Sequence, residues 1–115
     1  MDLRSLSDDV AAVSDRYAEV HDIDRTDAWY VLKLQEEVGE LTQAFLMRSG
    51  QARTKGLTAD EIEAGFRAEL ADVLCQTLLL ARHHGIDIED AVRRKWLVRL
   101  PGPPLPDPGE PRRVT

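Results

Sequence analysis

The sequence predicts an all-α fold, four helices arranged in a bundle-like way. Three observations carry that prediction. Apolar residues recur every three to four positions over three long stretches, capping side chains stand at the starts of those stretches, and no useful run alternates apolar and polar residues with the period of two that a strand requires. There is no internal repeat. A chain of 115 residues with a proline-rich end makes one domain, expected over residues 1–100. An extended or disordered tail is expected over 101–115, because Pro-Gly-Pro-Pro-Leu-Pro-Asp-Pro-Gly-Glu-Pro propagates neither helix nor sheet.

The first helix is expected over about residues 7–21. Val10, Val13, Tyr17 and Val20 fall at helical spacing, and Ser7-Asp8-Asp9 brings a cap and negative charge to its start. Asp22 to Thr26 is a polar connection, with Thr26 or Asp24 as cap of a second helix over about 26–48. Its core stripe is Val31, Leu34, Val38, Leu41 and Phe45. Gly39 inside that helix costs roughly 1 kcal/mol against Ala, and a close-packed neighbour is the plain reason to accept it. Arg48 to Leu57 contains Gly50, Gly56 and the bases Arg48, Arg53 and Lys55 but no acid, and reads as a flexible basic loop whose simplest role is solubility. Thr58-Ala59-Asp60-Glu61 is a capping box that opens a third helix over about 59–84, with Ile62, Phe66, Leu70, Val73, Thr77 and Leu80 as its stripe and Gly85 at its end. Asp87 caps a fourth helix over about 88–100, stopped by Pro101. Leu32, Leu46, Leu79 and Leu97 lie off these stripes, and their spread over three helices of a small domain points to a homo-oligomer, a dimer or a tetramer.

A net charge of -6 and a pI near 5.0 argue against a binder of nucleic-acid polymers, which needs a surplus of Lys and Arg to displace counterions. A small phosphorylated substrate held through metal ions is compatible with that charge. The lone Cys75 forms neither an internal disulfide nor a cysteine zinc site and reads as a small buried hydrophobe. With no long apolar run at Met1-Asp2-Leu3-Arg4 and no segment of ~18 apolar residues, a cytoplasmic protein without membrane contact is expected.

The chemistry concentrates in Leu34-Gln35-Glu36-Glu37-Val38-Gly39-Glu40-Leu41 and in Glu69-Leu70-Ala71-Asp72. Glu37 and Glu40 share a flank of the second helix, Lys33 projects between them, and Glu36 sits further round. Glu69 and Asp72 lie one turn apart on the third helix, and Asp72 interrupts an apolar run where an unpaired carboxylate costs much desolvation. Two antiparallel helices bring these four acids towards one pocket, where their repulsion calls for a divalent cation. Oxygen-only donors select Mg²⁺, with Mn²⁺ as a substitute, and Mg²⁺ on carboxylates characteristically meets a substrate phosphate. Either half alone is common on solvated helix faces; the combination is what counts. Lys95 and Arg99, one turn apart and aligned with Ile88 and Val92, are either last-turn cations complementing the helix dipole or a clamp for polyphosphate oxygens.

These residues resemble the MazG-like family of all-α nucleoside triphosphate pyrophosphohydrolases. Glu36-Glu37-Val38-Gly39-Glu40 and Glu69-Leu70-Ala71-Asp72, separated by a spacer of 28 residues from Leu41 to Ala68, follow its Glu-Glu-x-x-Glu and Glu-x-x-Asp pattern. Lys33-Leu34-Gln35, Val73-Leu74 and the late pair Lys95 and Arg99 add to it, so the likeness runs from about Trp29 to Arg99. The resemblance implies that Glu37, Glu40, Glu69 and Asp72 bind Mg²⁺, that Glu36 orients water as a base or supporting group, and that Lys95 and Arg99 contact triphosphate. It implies hydrolysis of a nucleoside triphosphate to monophosphate and pyrophosphate. Two positions depart from the pattern: Gly65 and Arg93 stand where many members carry a basic residue and an Asn. Phosphate contacts are then expected also from Lys33, Arg67 or the loop residues Arg53 and Lys55, the loop being that of the same or a neighbouring subunit. Trp29 is a candidate to stack on a base and Gln76 to hydrogen-bond substrate or a ligand carboxylate, with packing as the plainer role of each. His83 and His84, at a helix end, read as structural. The competing readings are a catalytically silent helical interaction module and a hydrolase of another phosphoanhydride, such as a phosphoribosylated nucleotide.

Overall fold

Two long antiparallel helices dominate the computed structural model, which describes residues 1–102. They are α2 (Asp27–Arg48) and α3 (Ala59–His83). Their far ends are tied by Arg48 to Glu63 at 2.6 Å beside the connecting loop, and by His83 to Asp27 at 2.6 Å at the open end. α1 (Leu3–Val20) packs on α3, and α4 (Ile88–Lys95) is followed by a single 3-10 turn, Leu97–Arg99. Among the described residues there is no strand, and no helix is long and apolar enough to cross a membrane. Of the proline-rich tail only Pro101 and Gly102 are described; the rest lies outside the described residues.

The caps explain most boundaries. Thr26 accepts from the Trp29 amide, and the Thr58–Glu61 capping box forms at both ends, at 2.9 and 3.2 Å. α3 closes with His84 at its cap and Gly85 in the left-handed region at φ +67°, where a side chain would be strained. α1 starts earlier than the expected residue 7. Asp2 and Ser5 form their own reciprocal box, with Ser5 donating to Asp2 at 2.8 Å, and this adds a turn upstream of Ser7. The fourth helix is shorter than the expected 88–100. Pro101 forces Leu100 into an extended conformation at ψ 149°, and the preceding turn tightens to 3-10 instead of continuing as α.

The buried line of α2 is Tyr30, Glu37 and Ala44, at intervals of seven. It is rotated from the expected stripe, whose members Val31 and Phe45 are about half exposed. On α3 the buried set, Ile62, Leu78, Leu79 and Ala81, shares only Ile62 with the expected stripe, and the stripe member Leu70 is exposed, as is Leu74. Binary pattern identifies an apolar arc but not which edge of that arc meets the neighbouring helix. Leu79 therefore belongs to the core with Ala11 and Tyr30 and not to an exposed patch, Leu46 is half-buried, and only Leu32 and Leu97 of the four off-stripe leucines stand open. Gly39 does not answer to a close neighbour either: a Cβ there would meet nothing within 4 Å. By helical angle Val31, Phe45, Leu70 and Leu74 fall on the side of the hairpin away from α1, which leaves one side of the hairpin apolar and uncovered.

Candidate metal centre and its cleft

Between α1, α2 and α3 lies a cleft of about 530 Å³, lined by Trp29, Lys33 and Glu37 from α2, Asp72, Cys75, Gln76 and Leu79 from α3, and Asp9, Val10, Val13, Ser14 and Tyr17 from α1. Its size is that of a small-molecule site. At its α2–α3 wall one carboxylate oxygen each from Glu37, Glu40 and Glu69 lie within 4.8 Å of one another. The three meet because Glu37 sits on the buried line of α2, Glu40 follows one turn on, and Glu69 comes across from the antiparallel α3. Asp72 stands beside this cluster, close enough for its charge to act on Glu37 and Glu69, but is not one of the three converging oxygens.

The electrostatics are adverse to full ionisation. Two carboxylates near 5 Å repel by about 3 kcal/mol at an effective dielectric of ~20. The Glu37 pKa is pushed from 4.5 up to about 7, first by burial, then by the charges of Glu40 and Asp72 and a hydrogen bond with Glu40. Glu69 is raised as well, again by burial first and then by Glu40 and Asp72. The opposing cation is Lys33, whose ammonium lies 3.5 Å from Glu36 and 3.6 Å from Glu37. Burial works to lower the Lys33 pKa, yet the pull of Glu36 and Glu37 outweighs it and the pKa is raised. One ammonium does not balance this many acids. Burial also pushes the Cys75 thiol up, with Asp72 adding to it, so the thiol stays protonated and unreactive.

The donor set suits a hard divalent ion. Glu37 Oε2 and Glu69 Oε2 are buried and accept no hydrogen bond among the described residues, which is what carboxylates arranged for a cation and not for protein donors look like. All convergent donors are oxygens, so Mg²⁺ or Mn²⁺ fits them better than a soft metal.

The remaining expected residues divide. Trp29, Lys33 and Gln76 line the cleft, and Gln76 Oε1 is buried with no hydrogen-bond partner among the described residues. Glu36 is exposed beside Lys33. Arg53 and Lys55 are exposed in the connecting loop, and neither they nor Lys95 and Arg99 line the cleft of their own chain. His83 stacks on Tyr30 at 4.3 Å, in agreement with a structural role. Sequence reasoning missed the α1 wall, which it read only as a helix. The signal was present as Val10, Val13 and Tyr17 on one face, but a pattern of apolar residues does not separate a packed face from one that borders a cleft; Val13 and Tyr17 are mostly exposed.

The model of the MazG-like family matches residues 34–106, more than half of the chain. Neither a curated protein nor a solved structure matches it. The matched span contains all four acids but neither α1 nor Trp29 and Lys33, so the aromatic wall of the cleft is supplied from outside it.

Proposed function

The chain belongs to the MazG-like family, and from that premise we propose that it is a Mg²⁺-dependent nucleoside triphosphate pyrophosphohydrolase, releasing nucleoside monophosphate and pyrophosphate. The observation that carries this reading is the convergence of Glu37, Glu40 and Glu69, with buried carboxylate oxygens of Glu37 and Glu69 that have no partner among the described residues, beside a ligand-sized cleft that Glu37 and Asp72 line. Glu37, Glu40, Glu69 and Asp72 would hold the ion, with Mn²⁺ as a substitute. The bound ion supplies a water of lowered pKa and neutralises the pyrophosphate leaving group.

The chain's own groups do the rest. Glu36, exposed and paired with Lys33, is the residue this reading assigns as base for the attacking water. Lys33 bridges Glu36 and Glu37 through its ammonium while its side chain lines the cleft, where it is available to phosphate. Trp29 and Tyr17 offer ring surface to a base, and Gln76 offers an unpaired amide oxygen to a donor on substrate or on a neighbouring side chain. Further phosphate contacts fall to Lys95, Arg99, Arg53 and Lys55 delivered by a second copy. The uncovered apolar side of the α2–α3 hairpin favours such a homodimer or homotetramer. The acidic balance suits a free nucleotide and not a nucleic-acid polymer or membrane surface.

The test is pyrophosphate release from a panel of canonical and modified nucleoside triphosphates with Mg²⁺, comparing the wild type with Glu40→Gln. Release by the wild type and a loss of at least roughly 100-fold in the variant are expected. Activity unchanged in the variant would refute the ligand assignment. A folded, metal-binding wild type that releases pyrophosphate from no triphosphate would instead point to a silent scaffold.

A further inference from the structure

We propose that Asp27, His83 and His84 form a second metal site, for an ion of the Zn²⁺ class, which staples the open end of the α2–α3 hairpin. Asp27 is the first residue of α2, His83 the last of α3 and His84 its cap. Because the helices are antiparallel, these ends coincide, and one ligand atom from each of the three side chains lies within 4.8 Å of the others. The connecting loop closes the opposite end. At the open end nothing covalent joins α2 to α3.

The site is partly pre-organised. The His83 ring stacks on the buried Tyr30 at 4.3 Å and 21°, and meets the edge of the His84 ring at 5.1 Å. Its Nε2 lies 2.6 Å from Asp27 Oδ1. Asp27 and His84 are exposed, so side-chain rotation can bring the three ligand atoms to the roughly 3.3 Å separations of a tetrahedral site with bonds near 2.0–2.1 Å, the Asp27–His83 pair opening from its 2.6 Å contact. Water would complete the coordination. Two imidazoles and one carboxylate are a borderline donor set that ranks Zn²⁺, Ni²⁺ and Co²⁺ far above Mg²⁺. The Glu37 cluster offers only hard oxygens, which suit Mg²⁺, and stands about 15 Å away along α2, ten residues on at 1.5 Å each. The two sites therefore differ in donor chemistry, and excess Mg²⁺ occupies the carboxylates without filling the imidazole site.

An ion pair between Asp27 and His83 explains those two residues without metal, and His84 caps α3 through its backbone, which leaves its ring nitrogens as the part of the cluster that only a metal would use. The experiment turns on that residue. The full chain is stripped with EDTA, dialysed and titrated with Zn²⁺ by calorimetry and with Co²⁺ by visible absorption, in the presence of excess Mg²⁺ to occupy the carboxylates. One Zn²⁺ per chain is expected, with nitrogen-ligand d–d bands for Co²⁺ and a rise in the unfolding temperature. His84→Asn and Asp27→Asn should each weaken Zn²⁺ binding about 10- to 100-fold while leaving the far-ultraviolet dichroism unchanged. Glu40→Gln should leave that binding intact, which separates this site from the one under the proposed activity. Zn²⁺ affinity unaltered in His84→Asn, or abolished in Glu40→Gln, or absent from the wild type, overturns the assignment.

Discussion

Replacing Glu37 with Gln should stabilise the metal-free protein in alkali and leave its stability unchanged in acid. In the fold the Glu37 carboxyl is held near pKa 7 by burial and by the charges of Glu40 and Asp72, while in the unfolded chain it returns to about 4.3. Between those values the native state keeps a proton that the unfolded chain has released. Stability therefore falls as pH rises through this window, and the loss is complete above about pH 7. At 1.36 kcal/mol per unit the shift from 4.3 to about 7 sets an upper bound of about 4 kcal/mol, and the side chain is only 10% exposed, so solvent screens little of it. Glu40 and Asp72 share the repulsion and the new amide must find partners, which brings the expected gain to about 2 kcal/mol, or roughly 8–16 °C in a domain of this size. The assay is thermal unfolding of wild type and variant in EDTA at pH 5 and pH 8. Taking the difference between the two proteins cancels other titrations, including those of Asp27 and Glu63, whose lowered pKa values give the opposite slope. Adding Mg²⁺ at pH 8 should raise the wild type and not the variant. A difference that is the same at both pH values would refute the reasoning.

Leu78 is the most deeply buried side chain, 2% exposed, and Leu78→Ala should cost about 2–5 kcal/mol, measured as the shift of the denaturation midpoint at constant m. Leu74→Glu puts a charge on the uncovered side of the hairpin, at a position 48% exposed within one chain. It should leave the helical content intact and shift the protein to monomer in sedimentation; an unchanged oligomer would place the interface elsewhere.

How far the fold could be read from the sequence follows from the kind of signal each element carries. Thr58 and Asp87 cap their helices where the sequence put them, and of the two candidates Thr26 and Asp24 it is Thr26 that caps α2, because a cap is a local transaction between one side chain and an amide three residues on. The start of α1 escaped because Asp2 and Ser5 form a box outside the usual Ser/Thr then Glu order. The rotation of the buried lines escaped for a different reason. Val31 and Tyr30 are both plausible inward residues, and only the tertiary pairing of α2 with α3 decides that Tyr30, Glu37 and Ala44 face inward. The convergence of Glu37, Glu40 and Glu69 was legible from spacing plus an antiparallel hairpin, whereas the contribution of α1 to the cleft depends on a packing angle that spacing does not encode.

The rotation also bears on why the site can exist. Had the apolar stripe of α2 faced α3 squarely, Glu37 would have stood on its flank, roughly 80° from the centre of the stripe, and been less buried. Turning the helix until Tyr30, Glu37 and Ala44 face α3 buries the acid and, by the same movement, exposes Val31 and Phe45 on the far side. Both consequences weaken a lone, metal-free chain: one through desolvated charge, the other through uncovered apolar surface at about 25 cal/mol per Å². A cation relieves the first and a second copy relieves the second. If that coupling is right, Mg²⁺ binding and self-association should reinforce each other, and Leu74→Glu should weaken Mg²⁺ affinity without touching a ligand. Equal Mg²⁺ affinity in the monomeric variant and in the wild type would break the link.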